Sequence, residues 1–366
     1  MRCTVHLQFF DVVEAARLKR GGRQVKQRCE LAVPHPRGYK RVDMFTLAEL
    51  ESATVLVRQH VPPTPQYAWP LLRVRTGVEV IVKHENHTPI GAFKVRGGLV
   101  YLQRAKRQRP QLAGIISATR GNHGQSLAFA GMRVGVSVTI VVPHGNSAEK
   151  NAAMRALGAE LIEHGRDFDE AAEHALRTAV ERDLEFAPSF HRDLVIGVAT
   201  YAHELLTSVD GLDTVYAPIG LGSGICGLIG TRDLLGLRTS IVGVVAARAN
   251  AYRLSVAAGR VVPTDAALTF ADGMAVRVPD AAALEIIRRG CERIVEVSED
   301  EIAEAIRLLY SATHNCAEGA GAAALAALLQ ERSRLQGRRV AVVLSGQNID
   351  AGLLASVLNG ATPRVG

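Results

Sequence analysis

The sequence has few cysteines, and they show none of the spacings that cross-linked or metal-stapled folds need. Five cysteines among 366 residues form no Cys-x-x-Cys pair and no metal-type spacing with histidine, which excludes a disulfide scaffold. An odd set of scattered thiols is typical of a reducing compartment, so we expect a cytoplasmic protein. With 48% apolar and 22% charged residues, the chain is neither disordered nor collagen-like.

The sequence also lacks an unbroken apolar helix of membrane-spanning length. The 18 residues of segment 214–231 carry no charge, and this length is at the lower limit for a transmembrane helix. However, the segment contains Pro218 and five glycines. A strand, a glycine turn and the start of a helix explain this composition better. We therefore expect no membrane partner.

The net charge of +7 resides almost entirely in the first 43 residues, where ten lysines and arginines stand against four acids. The rest of the chain is nearly neutral and lacks basic clusters, so we expect no nucleic-acid partner. The leader 1–43 has neither the apolar core nor the cleavage site of a secretory signal. Thr46 and Glu49 form a capping-box pattern just after Met44, so we expect the leader to be a flexible extension or an overcalled start.

Strand and helix signals alternate from residue 44 onwards. Short apolar segments separated by stretches of helical spacing favour βαβ units, and hence mostly parallel sheet with helices on both faces. The expected strands are 78–82, 114–117, 136–142, 214–219, 240–245 and 339–344, and the expected helices include 126–132, 148–157 and 317–329. The length fits two domains or one large domain with an inserted lobe.

Four polar or glycine-rich segments lie at or after the ends of expected strands, where ligands bind in open parallel sheets. They are 83–98, 117–125, 218–227 and 344–350. In the first, an apolar setting would lower the pKa of Lys94 and make its amine a nucleophile, although a single lysine is more often a surface residue. The second offers hydroxyl, amide and backbone N–H groups that suit an anion, or else forms an ordinary polar loop.

The third segment has glycines that let backbone N–H groups approach a phosphate. A nicotinamide dinucleotide site uses similar loops, but 246–248 reads Ala-Ala-Arg where its ribose-binding acid is expected, which disfavours a dehydrogenase. In the fourth, Ser345 is a neutral hydroxyl suited to a ring nitrogen that stays unprotonated. Each segment alone is ambiguous.

Taken in order, the segments resemble those of the fold-type II pyridoxal-phosphate enzymes, close to the threonine/serine dehydratases, over about residues 50–355. The match is carried by 91–97 (the Schiff-base lysine segment), 119–124 (the substrate-carboxylate loop), 220–223 (the glycine phosphate loop), 345–348 (the pyridine-nitrogen loop) and 271–273 (Ala-Asp-Gly). The resemblance implies an α/β fold of tryptophan synthase β type, with two open, mostly parallel sheets flanked by helices.

The resemblance also implies the cofactor, pyridoxal 5′-phosphate, and the residues of the site. Lys94 would be the catalytic residue and would hold the cofactor as a Schiff base. The implied cofactor-binding residues are Phe93, Lys94, Asn122, Gly220, Leu221, Gly222, Ser223, Gly224, Gly273 and Ser345. The implied substrate-binding residues are Thr119, Arg120, Gly121 and His123.

The implied activity is that of a dehydratase, or ammonia-lyase, acting on a β-hydroxy amino acid of the threonine or serine type. Lys94 would be the general base of an α,β-elimination that yields a 2-oxo acid and ammonia. A β-replacement synthase is the alternative within the same cofactor class. The resemblance further implies a homodimer, a large cofactor-binding domain (44–111 and 191–366) and a small mobile domain (112–190).

Several positions depart from the family pattern. Arg120 stands where resembling racemases use a serine as a second base, and an arginine stays protonated, which argues against racemisation. Its guanidinium suits a second substrate carboxylate, as in 3-hydroxyaspartate, or pairs with a protein acid. Ala246 replaces the glutamate of a divalent-cation site, so we expect no metal. We expect His87 and His123 to stabilise loops. The sequence leaves open whether Glu318 approaches the cofactor ring.

Overall fold

A computed structural model describes residues 44–365, so the expectation for the leader 1–43 lies outside the described residues. Within this range, two mostly parallel sheets are flanked by helices, which confirms the predicted fold class. No helix of the described range is long and apolar enough to cross a membrane.

The larger sheet contains β1 (Gln66–Ala68), β2 (Glu79–His84), β7 (Thr214–Pro218), β8 (Ser240–Ala246), β9 (Arg293–Val297) and β10 (Arg339–Leu344). Their order is β1-β2-β10-β7-β8-β9. Only β1 is antiparallel to its neighbour, and Leu344 of β10 lies opposite His84 of β2. The carboxyl ends of the parallel strands therefore share one edge, which is where such sheets bind ligands.

The smaller sheet contains β3 (Gly114–Ala118), β4 (Ser137–Val142), β5 (Glu160–Glu163) and β6 (Glu185–Phe186). Its order is β5-β4-β3-β6, and all its pairs are parallel. Strand β3 runs directly into the 119–122 loop, so this sheet also delivers one of the predicted loops from a carboxyl end.

The helices are α1 (Leu47–Arg58), α2 (Pro70–Thr76), α3 (Lys94–Gln108), α4 (Asn122–Val134), α5 (Ala148–Ala156), α6 (Phe168–Glu181), α7 (Arg192–Ser208), α8 (Ser223–Leu234), α9 (Ala251–Ala258), α10 (Ala281–Gly290), α11 (Glu299–Thr313), α12 (Gly319–Glu331) and α13 (Ala351–Leu358). Thr46 caps α1 with the predicted capping box, since its side chain accepts from Glu49 N–H and the Glu49 carboxylate accepts in return.

The six expected strands are confirmed to within one or two residues at each end. One helix differs more: the segment expected at 126–132 begins at Asn122. The polar residues 122–125 form the first turn of α4 rather than a loop, because Gly121 serves as its N-cap. The candidate residues Asn122 and His123 are therefore held on a helix.

Helices α3, α4 and α7 approach one another closely at glycines. A β-carbon on Gly98 of α3 would lie 2.7 Å from the backbone oxygen of Ser126 on α4. One on Gly97 would lie 2.8 Å from the backbone oxygen of Leu194 on α7. The Ser126 hydroxyl also donates to the backbone oxygen of Lys94 at 2.5 Å. Gly97 and Gly98 thus let α4 and α7 pack closely against the first turns of α3.

A fully buried ionic cluster joins β2 and its following loop to α3 and α7. Arg96 binds Glu85 (Nε–Oε2, 2.8 Å) and Glu204 (Nη1–Oε1, 2.8 Å), and Lys83 Nζ lies 2.6 Å from Glu204 Oε2. The two cations balance the two carboxylates, and the multiple hydrogen bonds offset the cost of removing these charges from water. Because Arg96 is two residues after Lys94, the cluster also fixes the start of α3.

Candidate active site

The lysine segment and the Ser345 loop pair side by side. Phe93 N–H donates to the Ser345 oxygen at 3.1 Å, and Gln347 N–H donates to the Gly91 oxygen at 2.9 Å. Gly91 has φ +67°, a left-handed conformation that favours glycine. The ends of β2 and β10 therefore bring Lys94 and Ser345 together, as the sequence predicts for neighbouring parallel strands.

Lys94 is the first residue of α3, and its amine lies 5.6 Å from the centre of the Phe93 ring. Within residues 44–365 the amine forms no hydrogen bond or ion pair. Burial lowers the pKa of Lys94, although the carboxyl of Glu318 acts in the opposite direction. The setting favours a neutral amine, which is the form that serves as nucleophile or base.

Asn122, the first residue of α4, connects the smaller sheet to the larger one. Its Nδ2 donates to Glu318 Oε1 at 2.7 Å, and its Oδ1 accepts from Asn348 Nδ2 at 2.7 Å. Glu318 N–H in turn donates to the Gly346 oxygen at 3.1 Å. These bonds place Asn122 beside the loop that holds Ser345.

Glu318 is a buried carboxyl at the N-terminus of α12. Burial raises the pKa of Glu318, and the charge of Asp272 raises it further. The hydrogen bond from Asn122 and the nearby amines of Lys150 and Lys94 act in the opposite direction. The sequence left open whether Glu318 approaches the site. Its bond to Asn122 and its electrostatic contact with Lys94 place it there.

The loop before Asn122 is compact. Thr119 is buried, and its hydroxyl accepts from Gly121 N–H at 3.2 Å. A β-carbon on Gly121 would lie 3.0 Å from Lys150 Cδ, so the lysine side chain packs closely against this glycine. Arg120 differs from its neighbours, because its side chain is exposed and has no hydrogen bond or ion pair in the described part of the chain.

His123 is buried, and its Nε2 has no partner among the described residues. Burial lowers its pKa to about 3, and the nearby Lys94 acts in the same direction. The imidazole is therefore neutral near pH 7, with one unsatisfied nitrogen that a ligand can meet. His87 has a loop-stabilising contact, since its Nε2 lies 2.7 Å from Asn315 Oδ1.

The glycine loop after β7 leads directly into α8. Gly222 has φ +103°, and a β-carbon there would lie 2.7 Å from that of Ala283, so the turn requires glycine. Ser223 and Gly224 form the first helical turn, whose free N–H groups suit an anion. The segment thus has the geometry expected of a phosphate-binding loop.

The same loop is held in place from two sides. Gly220 packs against the backbone oxygen of Gly273, with no room for a β-carbon between them. The Leu221 oxygen accepts from the Tyr252 hydroxyl at 2.9 Å. The Ala-Asp-Gly segment and the glycine loop are therefore neighbours, although Gly220 and Gly273 are 53 positions apart in the sequence.

Lys150 is a site residue that the sequence did not reveal. Its amine pairs with Asp272 at 2.7 Å, and the carboxylates of Asp272 and Glu318 raise its pKa against the opposing effect of burial. The two partners are 122 residues apart and belong to no shared motif. Within residues 44–365, no group of three or more His, Cys, Asp or Glu side chains is placed to hold a metal ion.

The donor set fits pyridoxal phosphate. The unpaired amine of Lys94 suits an aldehyde, and the N-terminus of α8 suits a phosphate. Ser345 offers a neutral hydroxyl to a ring nitrogen, and Asn122 offers an N–H to a phenolic oxygen. His123 Nε2, buried and without a partner among the described residues, adds a further group that a ligand can meet.

Comparison with known proteins agrees with this chemistry. Residues 57–346 match the family described as pyridoxal-phosphate dependent enzyme. An L-threonine ammonia-lyase of Geobacter sulfurreducens is 37% identical over 287 residues, which cover 78% of this chain and 71% of that protein. An L-threo-3-hydroxyaspartate ammonia-lyase of Saccharomyces cerevisiae is 28% identical and is covered over 97% of its length, with 86% of this chain.

Among solved structures, the processed form of threonine deaminase isoform 2 from Solanum lycopersicum superposes with a TM-score of 0.82 at 28% identity. The superposition covers 91% of this chain and 98% of that one. The chain therefore belongs to the pyridoxal-phosphate dependent enzymes, and its cofactor is pyridoxal 5′-phosphate.

Proposed function

We propose that the protein is an ammonia-lyase that converts a β-hydroxy amino acid to a 2-oxo acid and ammonia. The observation that carries the proposal is Lys94, an unpaired amine with a pKa lowered by burial, placed where β2 and β10 end side by side. The names of the two relatives give L-threonine and L-threo-3-hydroxyaspartate as their substrates, and both carry a β-hydroxyl group.

The cofactor-binding residues have distinct tasks. When bound, pyridoxal phosphate supplies an electron-withdrawing ring that stabilises negative charge at the substrate α-carbon. The N–H groups after Gly222 would hold its phosphate, and Ser345 would meet the ring nitrogen without giving it a charge. Asn122 would donate to the phenolic oxygen, and Phe93 packs beside the Lys94 amine.

Lys94 is the base of the reaction. Its neutral amine takes the proton from the substrate α-carbon. The β-carbon–oxygen bond then breaks, and the leaving hydroxyl takes up one proton and departs as water. The protonated amine gives up the proton that it took, which balances the step. Hydrolysis of the resulting enamine consumes one water and releases the 2-oxo acid and ammonia. Thr119, Gly121 and His123 hold the substrate carboxylate, which keeps the α-hydrogen within reach of the amine.

The test is 2-oxo-acid formation by the purified holoenzyme with threonine, serine, threo-3-hydroxyaspartate and phenylserine in separate reactions. We expect product from at least one substrate, and none from the Lys94→Ala protein. If the wild-type holoenzyme eliminates none of the four while it exchanges the β-substituent of an amino acid for another nucleophile, the protein is a β-replacement synthase and the proposal is wrong.

Arg120 selects substrates with a second carboxylate in this proposal. Its guanidinium is exposed, unpaired within the described range and part of the 119–124 loop, and a bidentate contact suits a carboxylate. Arg120→Gln should lower kcat/KM for threo-3-hydroxyaspartate about tenfold, which corresponds to about 1.4 kcal/mol, and change that for threonine much less. Equal losses for both substrates would contradict this role.

The proposal includes domain movement. Residues 112–190, which contain the smaller sheet, would move as a small domain against 44–111 and 191–366, and closure would exclude water from the reaction. Lys150–Asp272 and Arg277–Asp169, both at 2.7 Å, join the two parts in this structure. Hydrogen exchange should slow at 119–123 when the holoenzyme binds a substrate analogue, and unchanged exchange would contradict closure.

The proposal also includes a homodimer. Val74 of α2 and Tyr310 of α11 are exposed, and a hydrogen bond of 2.5 Å between Arg75 and Ser311 joins these two helices. A second copy that covers these side chains would remove apolar surface from water. Sedimentation should give twice the 39.2 kDa chain mass, and Val74→Glu with Tyr310→Glu should give the monomer. A wild-type monomer would contradict the homodimer.

We place the protein in the cytoplasm. The thiols of Cys226, Cys291 and Cys316 are free, which suits a reducing compartment. Cell fractionation with a cytoplasmic marker tests this placement, and recovery with membranes or outside the cell would contradict it.

A further inference from the structure

The amide of Asn122 is held at both of its ends. Asn348 Nδ2 donates to its Oδ1 at 2.7 Å, and its own Nδ2 donates to Glu318 Oε1 at 2.7 Å. One hydrogen of Asn122 Nδ2 is used by Glu318, and one remains. Which end of this amide meets a ligand therefore depends on its two neighbours.

Glu318 alone does not fix the orientation of the amide. An ionised carboxylate only accepts, and it would require the Nδ2 end of Asn122. Because burial raises the pKa of Glu318, its protonated form can instead donate to the Oδ1 end. With Glu318 as its only neighbour, the amide could adopt either orientation.

Asn348 removes this ambiguity, because a hydrogen bond to a backbone carbonyl fixes the orientation of the Asn348 side-chain amide. Its Nδ2 donates to the oxygen of Ile90 at 2.8 Å, and a carbonyl oxygen can only accept. The same nitrogen uses its second hydrogen on Asn122, so the atom of Asn122 that faces it must be Oδ1. The backbone oxygen of Ile90 in the lysine segment therefore determines the orientation of the Asn122 amide through Asn348.

We propose that Asn348 is a positioning residue that fixes the Asn122 amide with its remaining N–H available to the cofactor. This inference rests on the proposed placement of Asn122 at the phenolic oxygen of pyridoxal phosphate. A donor at that oxygen favours its ionised form, whereas an amide carbonyl in its place would oppose it. Asn348 thus acts on the cofactor through Asn122.

The test compares holoenzymes that carry Asn348→Asp or Asn348→Ala with wild type. An aspartate has the shape of asparagine but cannot donate, so Asn122 should turn its carbonyl towards the cofactor. We expect a changed visible absorption spectrum of the bound cofactor, a shifted pH midpoint of that spectrum and a cofactor dissociation constant raised about tenfold, equivalent to about 1.4 kcal/mol. Asn348→Ala should cause smaller changes in the same direction.

Two controls separate positioning from a general loss of structure. Asn359→Asp makes the same amide-to-acid change on an exposed residue of the adjoining segment and should leave spectrum and affinity as in wild type. In a double-mutant cycle, Asn348→Asp should have little further effect once Asn122 is alanine. If the aspartate variant does not fold, Asn348→Ala carries the same cycle.

The outcomes distinguish the inference from the proposal beneath it. Wild-type spectra in both Asn348 variants, or effects that persist undiminished in the Asn122→Ala background, would overturn the positioning role. If Asn122→Ala itself leaves the spectrum and the affinity unchanged, the placement of Asn122 at the cofactor is wrong, while Lys94 keeps its proposed role.

Discussion

Burial sets the protonation state of His84 at the end of β2. Trp69 Nε1 donates to His84 Nε2 at 3.0 Å, so the imidazole accepts and must be neutral at this nitrogen. Burial, followed by the charge of His87, lowers the pKa of His84 to about 4, against a weaker opposing contact with Asn86. Protonation would break the bond from Trp69.

Stability should therefore fall as the pH drops from 6.5 to 4. The unfolded chain takes up a proton on this histidine below pH 6.5, whereas the folded protein resists until about pH 4, so acid favours unfolding. The full difference is about 3 kcal/mol. Urea unfolding at pH 7, 5 and 4 measures it through the fluorescence of Trp69, the single tryptophan.

His84→Gln provides the comparison for this prediction. The variant starts from a lower stability but should lose less of it between pH 7 and pH 4 than wild type does. Parallel losses in the two proteins would assign the acid sensitivity to other groups, such as His123, whose pKa is also lowered by burial.

The buried ionic cluster around Arg96 should be sensitive to the loss of any one member. Arg96→Met leaves Glu85 and Glu204 with Lys83 as their remaining cation, and we expect a loss of about 3–5 kcal/mol in the free energy of unfolding. Arg155→Met is the matched control. Arg155 is 53% exposed and pairs with Glu163 at 3.3 Å, so its loss should cost less than about 1 kcal/mol. Similar losses in urea unfolding would contradict the role assigned to burial.

At the scale of elements, the contact between α3 and α4 depends on the absence of a side chain at Gly98. Gly98→Ala would push a β-carbon into the Ser126 backbone and should destabilise the protein by about 1–3 kcal/mol. Gly352 is exposed on helix α13 with open space around it, so Gly352→Ala should stabilise by about 0.5–1 kcal/mol. Thermal unfolding of both variants measures whether each change lowers or raises the stability. A Gly98→Ala protein as stable as wild type would contradict close packing.

The elements themselves were predictable because their signals are local. The apolar segments of β3, β7 and β10 and the Gly220–Gly224 loop can be read from a few neighbouring residues. Parallel strands also predict that Lys94 and Ser345 end at one edge. The contacts Asn122–Glu318 and Lys150–Asp272 were not predictable, since 196 and 122 residues separate the partners and the choice depends on how two sheets face each other.

At the scale of the whole molecule, the cofactor should stabilise the fold that binds it. Asn122, Ser345 and the α8 N-terminus come from distant parts of the chain, so a ligand that binds all three favours the folded state over the unfolded one. At a cofactor concentration 100 times its dissociation constant, we expect a gain of about 2.7 kcal/mol over the cofactor-free protein. Unfolding followed by circular dichroism measures the gain.

Lys94→Ala separates covalent attachment from the remaining contacts in this experiment. The variant should gain less stability than wild type at the same cofactor concentration, because it binds more weakly. Equal unfolding free energies with and without cofactor in the wild-type protein would contradict the assigned site.

The strand order of the larger sheet has a consequence for how the protein is made. Strand β10, residues 339–344, lies between β2 and β7, and so its two neighbours are synthesised long before it. Until that strand leaves the ribosome, both neighbours present unpaired backbone edges of the kind that invite aggregation. The smaller sheet, complete by Phe186, meets no such delay. A nascent chain stalled before residue 339 should therefore protect β3 and β4 from proteolysis while leaving β2 and β7 susceptible, with chaperones engaged at the gap.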